Sequence, residues 1–219
     1  GAWRVMPNGV DFPKGRVDDA LIAEVSKPYD LPQDVPVFLF VGRMMWYKGL
    51  RIILDALAQL KAAHQDFRMM FVGSGGDRDE IIAYSHELGL DDCVFFDAPR
   101  YDRNVIRAWY CRADLFLFPS TFDTNGLVVR EAAACALGSV LVRGSCAAED
   151  VEDGVSGFFN EENAASLAEK LTELLRAPEQ MRRVGQTAQD RIYISWEDSV
   201  ANAAERYEAV IAQYRAGNY

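Results

Sequence analysis

Five short apolar runs, each followed by a stretch of helical periodicity, restrict what this chain can fold into more than any other feature. The runs are Val35–Val41, Phe67–Val72, Cys93–Phe96, Leu115–Phe118 and Ser139–Val142. They have strand length and lack the polar alternation of a strand with one wet face, as expected of strands buried on both sides. The segments between them predict helices at about Gly49–Ala63, Arg78–Leu88, Asn104–Cys111 and Gly126–Ala136. In the first of these, Leu50, Ile53, Leu54, Leu57 and Leu60 fall on one face. Strand–helix alternation of this kind predicts an α/β fold, a doubly wound, Rossmann-like parallel sheet with helices on both faces. Beyond Gly154 the pattern is mostly helical, at about Ala164–Leu175, Pro178–Ile192 and Trp196–Tyr214. These segments are expected to cover the sheet, so residues 1–219 read as one domain. Ser26–Asp34, with Pro28 and Pro32, reads as a connector into the first long strand.

Composition narrows the function classes. The formal net charge is −10, which argues against nucleic acid as the main partner, because a phosphate backbone needs a basic footprint. No apolar run reaches the roughly 20 residues of a membrane span. Cys93, Cys111, Cys135 and Cys146 form no C-x-x-C pair, and only His64 and His86 could assist a metal. No metal site is expected, and all four thiols read as reduced core residues. With no signal peptide in view, the cytoplasm is the expected compartment. The chain opens at Gly1-Ala2-Trp3 without an initiator Met and runs into a strand-like Arg4–Met6, which reads as a piece of a longer protein.

In an open α/β sheet, ligands bind at the carboxyl ends of the strands, so the loops there carry the chemistry. The first, Gly42 to Gly49, places Arg43 and Lys48 where the positive end of the next helix disfavours cations. An anion between them, such as a diphosphate, would account for both; two solvated surface cations are the alternative. The second, Gly73-Ser74-Gly75-Gly76-Asp77, either lets backbone approach a ligand or makes a tight turn. The third, Pro119 to Ala132, puts the backbone N–H groups of Gly126 and Leu127 at a helix N-terminus, suited to an anion. Glu131 follows one turn on and shares an apolar face with Leu127 and Cys135. Its carboxylate must bind something, such as ribose hydroxyls, or sit in a buried ion pair. Asp123 could hold sugar hydroxyls or act as an N-cap in competition with Thr124 and Asn125. Arg100 and Tyr101, in the loop after the third strand, could flank a nucleobase or lie on an ordinary exposed loop.

Other chemistries lack their motifs. There is no G-x-x-x-x-G-K-[ST] and no G-x-S-x-G. Arg78 takes the place of the third glycine of the dinucleotide fingerprint, which counts against an NAD enzyme. Trp109, Tyr110, Trp196 and Tyr207 occupy helical positions and read as packing residues rather than a base-stacking platform.

Taken in order, these motifs resemble the C-terminal, donor-binding domain of the retaining family-four (group 1) glycosyltransferases, one half of the GT-B fold. The resemblance runs from Asn8-Gly9-Val10-Asp11 through Gly42-Arg43, Lys48-Gly49, Val72-Gly73-Ser74-Gly75 and Ala113-Asp114 to Pro119-Ser120. It continues with Asp123 and Glu131 at the two acidic positions of an E-x7-E motif, and with Trp196 to Tyr207 as the C-terminal helix. It implies a UDP- or GDP-hexose donor, bound without a metal or other cofactor and transferred with retention of configuration. Arg43 and Lys48 would neutralise the diphosphate, the backbone at Gly126 and Leu127 would cradle it, and Gly42 and Gly73 would belong to the same donor-binding set. Glu131 would hold the ribose, Arg100 and Tyr101 the base, and Asp123 and Asn125 the transferred sugar. Asp123 stands where the family has Glu, and Thr124-Asn125 replaces a commoner Pro-Phe, so donor choice is open. The acceptor site is implied to lie in an N-terminal domain absent from this chain, through which the protein could also meet the inner face of a membrane. A non-catalytic nucleotide-binding or interaction module of the same fold is the alternative.

Overall fold

The structure is a computed structural model that describes residues 8–122 and 126–215. The strand expected at Arg4–Met6 lies outside them. Six parallel strands form one sheet: β1 (Val37–Val41), β2 (Arg68–Val72), β3 (Val94–Asp97), β4 (Leu115–Phe118), β5 (Ser139–Val142) and β6 (Phe158–Asn160), in the order β3-β2-β1-β4-β5-β6. Every residue of β1, β4 and β5 is buried, which is why their sequences show no alternation. Phe38, Phe40, Phe71, Phe116 and Phe118 are among the largest fully buried side chains. Each stabilises the fold by about 1.5–3 kcal/mol relative to an exposed ring.

The helices are α1 (Asp19–Ser26), α2 (Leu50–Ala62), α3 (Arg78–Glu87), α4 (Arg103–Arg112), α5 (Leu127–Ala134), α6 (Ala164–Leu175), α7 (Pro178–Arg191) and α8 (Trp196–Arg215). Local chemistry sets their starts. Asp18, Asp102 and Asn163 accept a first-turn N–H at α1, α4 and α6, and Pro178 opens α7, where its missing N–H costs nothing. Leu50, Ile53, Leu54, Leu57 and Leu60 are buried as their spacing requires, and α2 packs on α6 while α1 packs on α4 and α5 on α7.

Two elements have no counterpart in the sequence reading, α1 and the three-residue β6. One expectation is corrected: α8 does not cover the sheet. None of its residues is buried, and Trp196 and Tyr207 are 56% and 65% exposed. An apolar stripe specifies which helix face favours burial, not what it meets. Where α8 begins, the chain is tied to the opening segment: Val10 N–H donates to Ile194 O at 3.0 Å, and Trp196 N–H to Val10 O at 3.2 Å.

From β1 the chain winds outward to β2 and β3, then returns to place β4 beside β1 and winds the other way. The crossover direction reverses between β1 and β4, and the loops leaving these two strands flank the crevice that results.

Candidate functional site

The loop after β1 ends in a single 3-10 turn, Trp46–Lys48, before Gly49 starts α2. It is held from below by the loop after β2. Gly42 N–H donates to Val72 O (3.1 Å), Met44 N–H to Ser74 O (2.9 Å) and Asp77 N–H to Met44 O (3.3 Å). The Asp77 carboxylate accepts from Trp46 N–H at 2.8 Å. A Cβ at Gly73 (φ +150°) would lie 2.0 Å from Gly42 O. Between the two sequence readings of this glycine loop, the close approach it permits is to the neighbouring backbone, and the result is a rigid seat under Arg43 and Lys48. Trp46 adds a side-chain brace: its ring meets the Tyr84 ring edge-on at 5.9 Å, and the Arg51 guanidinium lies over both, 4.5 and 4.4 Å from their centroids.

The same loop touches the one after β4. A Cβ at Gly49 (φ +78°) would fall 2.7 Å from Pro119 O, so only glycine lets the two backbones meet here. The Lys48 ammonium lies 5.8 Å from the centre of the Phe118 ring, and the Tyr47 and Phe122 rings meet edge-on at 6.3 Å. Lys48 therefore stands on the sheet edge from which the chain runs on to α5, and Arg43 is exposed in the same loop. Gly126 caps α5 in a left-handed conformation. The first bond back to its carbonyl comes from Val129 N–H, at 3.0 Å, so the N–H groups of Leu127 and Val128 precede the helical ladder. Leu127 is 38% exposed. A second 3-10 turn, Cys146–Ala148 after β5, backs this helix end, with Ala147 Cα 3.4 Å from where a Gly126 Cβ would be. Cys146 is exposed and Cys135 half-buried, whereas Cys93 and Cys111 are buried, which corrects the expectation of four core thiols.

Glu131 is paired. Its Oε1 lies 3.4 Å from Arg103 Nη1, and its Oε2 accepts from the Tyr110 hydroxyl at 3.2 Å. Burial raises its pKa; Arg103 and the Tyr110 bond work against that rise.

Arg100 and Tyr101 part ways. Tyr101 is 90% exposed. Arg100 grips Asp97, its Nε and Nη2 donating to the two carboxylate oxygens at 2.8 and 2.7 Å. Asp97, 1% exposed at the end of β3, also accepts from Tyr29 OH, Ala98 N–H and Trp109 Nε1, each at 2.8 Å. Burial pushes its pKa up, and the bonds from Arg100, Tyr29 and Trp109 outweigh it, holding the group below the usual carboxylate range. The sequence reading missed this anchor, together with Arg103 and Tyr110. An acid closing the apolar run Val94–Asp97 was the available signal.

Asp123 and Asn125 lie outside the described residues. Among the described residues, no group of three or more His, Cys, Asp and Glu side chains could hold a metal ion, and no helix is long and apolar enough to cross a membrane. A separate cleft of about 290 Å³, lined by Asp34, Asp114, Leu137, Met181 and Arg182 among others, opens where β1 and β4 begin, at the opposite edge of the sheet.

The family model described as glycosyl transferases group 1 matches residues 22–191. D-inositol 3-phosphate glycosyltransferase 2 of Catenulispora acidiphila is 32% identical over 222 aligned residues, covering 96% of this chain and 51% of that protein. The chain thus spans about half the length of the curated relatives it matches. Among solved structures, sucrose-phosphate synthase of Thermosynechococcus elongatus superposes with a TM-score of 0.80 at 25% identity, over 95% of this chain and 53% of the other. HepE of Anabaena, solved with UDP and glucose, gives 0.76 at 24% identity, over 94% and 56%.

Proposed function

This chain belongs to the group 1 glycosyl transferases, and from that premise we propose that it is the donor-binding half of a retaining hexosyltransferase, with a UDP-hexose as donor. The observation that carries the proposal is the meeting of the β1 and β4 loops at the switch point, which sets the Lys48 turn against Pro119 and Phe118. A diphosphate in that crevice faces Arg43 and Lys48 on one side and the unladdered N–H groups of α5 on the other. As the bond to the sugar breaks, negative charge collects on the leaving diphosphate. Fixed donors already aimed there stabilise that charge without reorganising, so the chemistry asks for no metal. Glu131 takes the ribose, Tyr101 and the Asp97-anchored Arg100 flank the base, and Asp123 and Asn125 meet the sugar. Acceptance of the sugar by a hydroxyl requires that hydroxyl to be held against the anomeric carbon, a task assigned to the other half of the two-domain protein. UDP is preferred over GDP because the Anabaena neighbour is described in complex with UDP and UDP-glucose.

Calorimetric titration of the full-length protein with UDP-glucose and GDP-glucose tests this. UDP-glucose should bind more tightly, and Lys48→Ala should weaken it about tenfold to a hundredfold, the worth of one charge-assisted hydrogen bond. Wild-type affinity in Lys48→Ala and Arg43→Ala would overturn the proposal.

A further inference from the structure

The geometry points to Arg103 as a positioning residue that keeps Glu131 ionised and aimed, so that the carboxylate can take both hydroxyls of a ribose diol; this rests on the ribose role proposed above for Glu131. Arg103 is the first residue of α4, and its side chain is 46% exposed. It is nonetheless fixed on three sides. Nη1 faces Glu131 Oε1 at 3.4 Å, Nη2 donates to Asp11 O at 3.0 Å, and the guanidinium lies 4.4 Å from the centre of the Phe12 ring. Phe12, buried, also packs edge-on against Tyr110 at 5.8 Å, and Tyr110 donates to Glu131 Oε2. Phe12, Tyr110, Glu131 and Arg103 thus close a ring of contacts, with the carboxylate as its only acid.

Acceptor geometry gives the ring its use. An ionised carboxylate offers about four lone-pair sites. Arg103 and Tyr110 each engage one oxygen, which leaves one site on each oxygen for a vicinal pair of hydroxyls. A protonated Glu131 would lose an acceptor and add a competing O–H. Burial favours that protonated form, and Arg103 is the cation opposing it. The other groups near the carboxylate do not replace it. Tyr110 stays a neutral donor, its pKa raised well above the usual phenol value by burial and by Glu131 itself. Just past α5, Cys135 has its pKa raised by its hydrogen bond with Cys111 and by burial. Arg107 of α4 is directed to the carbonyls of Pro13 and Gly15, and Asp11 faces Arg103 through its backbone.

Glu131 binds hydroxyls in its ionised form, so affinity is present above its folded pKa and lost as pH falls through it. Removing Arg103 moves that loss upward in pH. The test is UDP-glucose calorimetry on the full-length protein at about pH 5.5 and about pH 8. Arg103→Met should bind about three- to fivefold more weakly than wild type at the lower pH, the worth of a half-exposed ion pair, and recover most of the difference at the higher. Arg103→Lys, which restores the charge, should lie close to wild type, and Glu131→Gln should be weak at both. Wild-type binding by Arg103→Met at both pH values, with Glu131→Gln weak, overturns this inference alone, and so does an equal deficit at both pH values. Wild-type binding by Glu131→Gln overturns the ribose assignment beneath it.

Discussion

Replacing Asp97 by alanine removes, in one change, the acceptor for Tyr29, Ala98, Trp109 and both forks of Arg100. These losses are unequal. Trp109 is fully buried, so its indole N–H has no water to turn to, and leaving it unsatisfied costs about 1–3 kcal/mol. The space vacated by the carboxylate adds about 1 kcal/mol. Arg100 is 40% exposed and rehydrates, so its ion pair counts for at most ~1 kcal/mol. Ala98 is exposed and adds a few tenths, and the half-buried Tyr29 hydroxyl adds about 0.5–1 kcal/mol. The expected cost is about 3–5 kcal/mol, which for a chain of this size lowers Tm by roughly 6–20 °C. Differential scanning calorimetry at neutral pH measures it. The folded pKa of Asp97 is depressed, so its contribution is present above the unfolded carboxylate value of about 3.9 and lost as pH falls through the folded value. The gap between wild type and Asp97→Asn should therefore narrow in that acid window. A drop of less than about 2 °C for Asp97→Ala at neutral pH would refute the claim that this anchor holds the β3 loop.

Gly73→Ala drives a Cβ to within 2.0 Å of Gly42 O and should cost about 2–4 kcal/mol, with weaker UDP-glucose binding as the seat under Lys48 shifts; melting and calorimetry check the two effects. Arg130 donates to Ile192 O at 2.5 Å and to Asp150 at 2.6 Å, so Arg130→Met should lose about 1.5–3 kcal/mol of stability while UDP-glucose affinity, by calorimetry, stays within about twofold. A thiol reagent at mildly alkaline pH should label exposed Cys146 and spare Cys93, whose thiol burial pushes up to about 11. Bound UDP-glucose should slow the labelling of Cys146, because its turn backs the α5 N-terminus, and mass spectrometry of the digested protein reads both outcomes.

The sheet was legible because its central strands are buried on both faces, and such strands announce themselves as unbroken apolar runs. Phe158–Asn160 escaped notice because three residues with a polar end carry no periodicity, and α1 because only Ile22 and Val25 of its eight residues are buried. The loops at the carboxyl edge were legible as a set, since glycines and cations after apolar runs have few local uses. Their internal wiring was not. Nothing in Gly73-Ser74-Gly75 distinguishes an approach to a ligand from one to Met44 and Gly42, and nothing near Tyr29 reveals a bond to Asp97 sixty-eight residues away. Trp109 and Tyr110 pack as their spacing implied, but each also directs a polar tip at a carboxylate, which periodicity does not register.

The tie between Val10 and Ile194–Trp196 has a mechanical consequence. Tension applied through residues before Val10 and beyond Trp196 reaches these two hydrogen bonds first. The sheet lies within a loop closed at this neck and is shielded from the load.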